Sequence, residues 1–210
     1  YKEENTTNDL AATTKNAKIL FTYSTLGFFI NYHKRKFFQL QCLYKGFYID
    51  CTVGDGGHAK EVLGASTPAP RLLGIDLDDE ALQVASCRLG GNDQVVLCRA
   101  NFTNLIEVAS AKGFFPANGV LFDLGVSSRI LGDPARGFSF SNSGPLDMRF
   151  DREQPLTAND VVNQAKESDL ADVIYGFGED PMSRKIARAI VSSRPFQTTG
   201  QLASTVSRAV

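Results

Sequence analysis

From Phe47 onward the chain repeats one pattern: a short β-rich apolar run, then a stretch with apolar residues at three- and four-residue spacing and a glycine just past its end. The runs are 47–51, 71–76, 95–99 and 119–123, and the helical stretches between them are 58–64, 79–89 and 104–113. Alternation of this kind builds βαβ units. Because the crossovers are right-handed almost without exception, the expected fold class is α/β, a twisted, parallel, Rossmann-like sheet of four strands with helices on both faces.

After Asp123 the texture changes to a loop rich in Gly, Pro, Ser and Asp that runs to about Gln154, and loops of that length usually have a task. Beyond it, Thr157 and Asp160 offer a capping box, Ser168 offers a cap for a helix to about Phe177, and a third helix over 182–193 is stopped by Pro195. The expected organisation is an atypical, partly disordered segment over 1–45, a ligand-binding α/β domain over 46–155 and a small helical subdomain over 156–210. The apolar stretch 19–30 is interrupted by Thr22 to Thr25 and is too short for a membrane span of about 20 residues. It is followed by a basic patch, His33 to Lys36, with no small-residue cleavage site, so neither membrane insertion nor export is expected. Four cysteines, Cys42, Cys51, Cys87 and Cys98, form no C-x-x-C pair, which suits buried thiols in a reducing cytoplasm better than a metal or disulfide site.

The formal charge of −1 hides an asymmetry: residues 1–45 sum to +4, residues 46–180 to −10 and residues 181–210 to +5. An acidic centre suits a cationic ligand, and basic flanks suit a polyanion such as nucleic acid.

The densest signal is Asp50-Cys-Thr-Val-Gly54-Asp55-Gly56-Gly57-His58, at the turn from the first strand into the first helix. Glycines there let the backbone approach a ligand. A dinucleotide pyrophosphate is the usual occupant of such a turn, yet Asp50 and Asp55 would repel it. S-adenosylmethionine carries a sulfonium and an ammonium and no phosphate, and it fits the acids. Asp76 ends the second strand where an acid accepts hydrogen bonds from ribose hydroxyls. Phe102, past the third strand, offers a ring for adenine, and Asp123 ends the fourth strand beside the topological switch point. No cysteine follows Cys98, which disfavours carbon-5 methylation of a pyrimidine, and the Asn/Asp-Pro-Pro-aromatic motif of many DNA amino-methyltransferases is absent.

Together with Ile75-Asp76-Leu-Asp78 and Asn101-Phe102, three further segments carry a specific resemblance: Asp123-Leu-Gly-Val-Ser-Ser128, Arg136-Gly-Phe-Ser-Phe140 and Gly144-Pro-Leu-Asp-Met-Arg149. Over about Tyr48 to Val206 the chain resembles the bacterial 16S ribosomal RNA cytosine-N4 methyltransferases. The resemblance implies a class I methyltransferase domain interrupted by a helical substrate-recognition subdomain, S-adenosylmethionine as cofactor with no metal, and small-subunit ribosomal RNA, free or in the assembling subunit, as partner. Its cofactor residues fall on Gly56, Gly57, His58, Asp76, Phe102 and Asp123, to which the reading of the Gly loop adds Asp50 and Gly54. There are three departures. Ile130 stands where the family has a glutamine, the family's N-terminal segment is not recognisable before Lys45, and the family continues past Val210, so the sequence reads as part of a longer protein.

The exocyclic amine of cytosine is a poor nucleophile because its lone pair is delocalised into the ring, and an acceptor at the amine relieves this. Asp123 is the candidate acceptor, with cofactor binding or loop anchoring the other role open to it. Asp147 and Arg149 are candidates for base and phosphate contacts, or for a salt-bridged loop lock. Arg136, in the same loop, is a candidate RNA contact. Arg184, Lys185 and Arg188 lie outside the apolar face of the third helix with no acid nearby in sequence, as either RNA-backbone contacts or a solvated face. A non-catalytic module that binds RNA or cofactor, a small-molecule methyltransferase and a nucleotide-dependent dehydrogenase are the rival readings.

Overall fold

The computed structural model describes residues 46–65 and 68–210, together with the backbone of a strand over Lys18–Tyr23. The polar lead-in before Lys18, the basic patch at 33–36 and Cys42 lie outside the described residues. By packing, the chain forms two compact units, Tyr1–Gly125 and Val126–Val210.

The first unit is built on one sheet whose strands are β1 (Lys18–Tyr23), β2 (Phe47–Asp50), β3 (Arg71–Asp76), β4 (Val95–Arg99) and β5 (Gly119–Leu124). Their spatial order is β1-β5-β2-β3-β4, and each adjacent pair is parallel. The four expected strands are present, and β1 is an unexpected fifth, running beside β5 from Lys18 opposite Gly119 to Tyr23 opposite Leu124. No strand-then-helix repeat announces β1 in the sequence. The connecting helices are α1 (Gly57–Gly64), α2 (Asp79–Leu89) and α3 (Leu105–Ala111), the last preceded by a 3₁₀ turn over Phe102–Asn104.

The sheet is covered on both faces, which is why its strands read as nearly continuous apolar runs. Ile49, Leu73, Ile75 and Val120 pack into one layer with Leu105 and Ala109 of α3 and with Phe114. Tyr48, Leu72 and Leu121 pack into the other with Val53 and with Ala59 and Val62 of α1. Side chains alternate along a strand, so Asp50, Asp76 and Asp123, an even number of residues beyond Tyr48, Leu72 and Leu121, emerge on the α1 side. The chain winds outward from β2 to β3 and β4 and then returns to β5 on the other side of β2. The switch point therefore lies between the carboxyl ends of β2 and β5.

The second unit contains α4 (Ser128–Gly132), a 3₁₀ turn over Pro134–Arg136, and α5 (Ala158–Gln164), α6 (Glu167–Gly178), α7 (Ser183–Ser192) and α8 (Thr199–Ala209). Its core joins Val162, Leu170, Ala171, Ile186, Ala187, Ile190 and Phe196 to Leu146 from the long loop. That loop packs as part of the helical unit: the Ala158 and Asn159 N–H groups donate to the carbonyls of Asp147 (2.8 Å) and Leu146 (2.7 Å). Gly144 and Thr199 exchange two hydrogen bonds, from Thr199 N–H to the Gly144 carbonyl (2.9 Å) and from Gly144 N–H to Thr199 Oγ1 (3.2 Å). The contact boundary thus falls at 125/126, before the loop, whereas sequence texture draws the subdomain from 156. The expected cap at Ser168 gives way to Lys166 as the N-cap of α6, and the Ser168 hydroxyl donates instead to Asp169 (3.0 Å).

Candidate functional site

Three carboxylates stand at the carboxyl ends of three neighbouring strands of the first unit, Asp50 and Asp76 as last residues and Asp123 one residue before the end of β5. In the register of the sheet Asp50 stands opposite Gly74 of β3 and Leu121 of β5, and Asp76 and Asp123 lie two residues further along those strands on the same face. The Gly loop is tied into this cluster by its own backbone. Gly54 N–H donates to Asp76 Oδ2 (2.8 Å), Asp78 N–H donates to Asp76 Oδ1 (3.0 Å), and Val53 N–H donates to the Ile75 carbonyl (3.0 Å). Each Asp76 oxygen thus accepts one backbone donor and keeps further lone-pair capacity. Asp78 itself caps α2, accepting from the N–H groups of Glu80 and Ala81.

Asp50 is 1% exposed, and only its Oδ1 is seen to accept a hydrogen bond, from Thr52 N–H at 3.1 Å. Its Oδ2 is buried and meets no hydrogen-bond partner among the described residues. Burial pushes this carboxyl up to about 7; the Thr52 N–H works against the rise, and the Asp76 and Asp123 charges add to it. Thr52 links the cluster a second time, its Oγ1 accepting from the Asp123 N–H at 2.8 Å. Asp123 Oδ2 in turn lies 3.3 Å from His58 Nδ1, which joins the start of α1 to the end of β5.

Gly54 and Gly56 take left-handed backbone angles, φ 49° and 79°. A Cβ on Gly56 would also press on Ala85 of α2 at 3.3 Å, so glycine there sets both the turn and the approach of the two helices. Phe102 is 38% exposed and stands edge-on to Phe122, with ring centroids 5.8 Å apart, so part of its ring surface faces solvent. Cys51 is adjacent to this end of β2 in space, its N–H donating to the Leu121 carbonyl (2.9 Å). It is 2% exposed and packs in the opposite layer, and burial pushes its thiol up, so it supplies no thiolate nucleophile.

The expected site residues thus gather in the first unit as one group: Asp50, Gly54, Gly56, Gly57, His58, Asp76 and Asp123, with Phe102 past the neighbouring strand. Thr52 is the member that the sequence reading missed. Nothing in a lone threonine after a strand marks it as the bridge between two aspartates.

The residues of the second unit fall differently. Arg136 is 2% exposed, and its Nη2 donates to the carbonyls of Arg149 (3.1 Å) and Phe150 (3.2 Å). Its place is inside the loop rather than on a surface that RNA reaches, which corrects its expected role. Asp147 and Arg149 form a bidentate pair at 3.0 and 2.8 Å, and Arg149 Nη1 also holds the carbonyls of Arg152 (2.9 Å) and Gln154 (2.8 Å). The side-chain hydrogen bond from Arg149, the largest influence, holds the Asp147 carboxyl below its usual range, and the same bond raises Arg149. Of the roles left open for this pair, the geometry is that of a loop lock.

Arg184, Lys185 and Arg188 are exposed on α7, but Arg188 has an acid in space if not in sequence, its Nε lying 3.5 Å from Glu167 Oε1 of α6. Ile130 is buried at 5% in the short helix α4. Among the described residues no helix is long and apolar enough to cross a membrane, and no group of three or more His, Cys, Asp or Glu could hold a metal ion.

Comparison with known proteins matches residues 33–210 to a family described as the MraW methylase family. A protein named ribosomal RNA small subunit methyltransferase H from Dehalococcoides mccartyi is 46% identical over 166 residues, 79% of this chain and 48% of that protein. Proteins of the same name from Symbiobacterium thermophilum and Syntrophobacter fumaroxidans are each 47% identical over 79% and 81% of this chain, and over 53% and 55% of their own lengths. The chain spans about half the length of these relatives.

Proposed function

Because the chain belongs to the MraW methylase family, we propose that it supplies the cofactor-binding and substrate-recognition part of an S-adenosylmethionine-dependent enzyme that methylates N4 of a cytidine in small-subunit ribosomal RNA. The observation that carries the reading is the cluster of Asp50, Asp76 and Asp123 around a Gly loop whose residues 50–58 include no Lys or Arg. Such a donor set repels phosphates and favours a cation, and an oxygen of the innermost acid is buried without a partner.

When bound, S-adenosylmethionine supplies an electrophilic methyl on a sulfonium. Asp76, held by two backbone donors, offers its remaining lone pairs to ribose hydroxyls, and Phe102 offers the exposed part of its ring to the adenine. Asp123, fixed through its own N–H by Thr52, stands at the switch point as the acceptor for the cytosine amine. Accepting a hydrogen bond from that amine, it favours a lone pair localised on nitrogen. With the methyl that the bound cofactor would supply held in line, Asp123 or water would take the proton that the amine gives up on methylation. Positioning in line supplies much of the acceleration. A base reaches such a pocket only from single-stranded or splayed RNA. Arg184 and Lys185 are the phosphate contacts of this reading, with Arg188 a lesser one, and a ribosomal RNA substrate implies a cytoplasmic setting.

Titration with S-adenosylmethionine followed by methyl transfer to a small-subunit ribosomal RNA fragment tests the reading. Binding with transfer supports it in full. Binding without transfer reduces the chain to a binding module, and absence of binding overturns both.

A further inference from the structure

The mechanism above counts Asp50 in the acid cluster but gives it no part in the transfer. Asp50 is the most enclosed member of the acid cluster, 1% exposed, and its Oδ2 has no hydrogen-bond partner among the described residues. A partly desolvated carboxylate kept without a second partner costs stability, and the two acids that flank it on β3 and β5 make its ionisation harder. We infer that Asp50 is the residue that distinguishes charged S-adenosylmethionine from its spent, neutral thioether, S-adenosylhomocysteine, acting through space as a buried charge that is present when the sulfonium is bound and is relinquished to a proton when it is not. The inference rests on the cofactor reading above.

The physical argument needs no contact with Asp50. Methyl transfer removes one positive charge from the ligand, because the sulfonium becomes a thioether, while the ligand's ammonium is unchanged. An acid whose carboxyl is already pushed up to about 7 is poised to respond, since a nearby cation favours its ionised form and loss of that cation returns a proton. The charged and titratable groups placed around it are Asp76 on β3, Asp123 on β5, the adjoining Cys51 thiol, whose proton burial holds, and His58 at the start of α1, which lies 3.3 Å from Asp123. Of these only the imidazole ordinarily changes charge between pH 6 and 8. The sign follows. Above about pH 7 Asp50 is charged and attracts the sulfonium, so S-adenosylmethionine is preferred; as the pH falls through that value Asp50 is protonated and the preference shrinks.

Calorimetric titration of the whole chain with S-adenosylmethionine, S-adenosylhomocysteine and sinefungin, which carries an amine cation where the sulfonium stands, tests this from pH 6 to 8. The affinity ratio of the methionine to the homocysteine form should rise roughly tenfold across that range, the factor that about 1.4 kcal/mol of charge interaction produces. Sinefungin should follow S-adenosylmethionine. In buffers of different ionisation enthalpy at pH 7, S-adenosylmethionine should release more protons than S-adenosylhomocysteine, a measurement that needs no variant. Asp50→Asn should flatten the ratio, and His58→Gln should leave its slope in place. A flat ratio in the unaltered protein, equal proton release by the two ligands, or a slope that survives Asp50→Asn and vanishes with His58→Gln overturns the inference while leaving the cofactor reading intact. Failure of all three ligands to bind overturns the cofactor reading and this inference with it.

Discussion

At the scale of single residues, the acids of the first unit were legible in the chain because each stands at the carboxyl end of a strand, and strand ends are visible as the edge of an apolar run. Asp76 carries the clearest consequence. It accepts from Gly54 and Asp78, and the proposed function gives its remaining lone pairs to ribose hydroxyls, so Asp76→Ala should weaken S-adenosylmethionine binding by about 1–3 kcal/mol, the usual effect of losing hydrogen bonds to a charged group. Calorimetry that finds unchanged affinity removes Asp76 from the site. Arg136, by contrast, was misread, because an arginine in a polar loop looks solvent-facing until the loop is seen to fold back over it. Asp147, for which a salt-bridged loop lock was among the roles left open, is paired with Arg149. Its carboxyl is lowered chiefly by the Arg149 hydrogen bond, so its contribution to stability is full above the unfolded value of about 3.9 and is lost as the pH falls through the lower folded value. Asp147→Asn should lower the melting temperature at neutral pH and leave a shallower decline below about pH 4. Parallel acid limbs in the two proteins would show that the pair does not hold the loop.

The elements of the first unit follow from periodicity, and their ends follow from local chemistry: Asp78 caps α2, and Gly90 closes it in a left-handed turn. The capping box of Thr157 and Asp160 stands as the sequence indicates. A second box, Thr198 with Gln201 at the start of α8, carried the same signal and was missed. The element least open to sequence reasoning is the long loop, whose order comes from close backbone contacts. A Cβ on Gly144 would run into the Pro134 carbonyl, so no side chain fits without moving the chain. Gly144→Ala should therefore lower stability by at least ~2 kcal/mol, within the range of overpacking in a tight site. Gly132→Ala, with open space around the added methyl, serves as the control and should change little. Equal melting temperatures for the two variants would show the loop to be looser than its contacts indicate.

At the scale of the whole chain, charge is the property that composition reports best and locates worst. The +5 sum over residues 181–210 is real, yet Arg188 is partnered by Glu167, and Arg194 donates to the Val162 (2.7 Å) and Ala165 (2.6 Å) carbonyls. Neutralising Arg184, Lys185 and Arg188 together should flatten the salt dependence of RNA binding by ~1.4, two single-strand phosphate contacts at ~0.7 each, rather than by the ~2.1 that three would give. S-adenosylmethionine affinity should not move, and an unaltered salt slope would return these residues to a solvated face. What the order of residues determined alone is the α/β class, the strand and helix sequence from Phe47 to Leu124, and the acids at the strand ends, because period, caps and glycines act over a few neighbouring residues. Tertiary structure decided the rest: the fifth strand beside β5, the Thr52 bridge, the burial that leaves one oxygen of Asp50 without a partner, and the inward turn of Arg136. Each depends on which distant segments pack together, and burial and pairing between them are properties of the folded chain that no local pattern encodes.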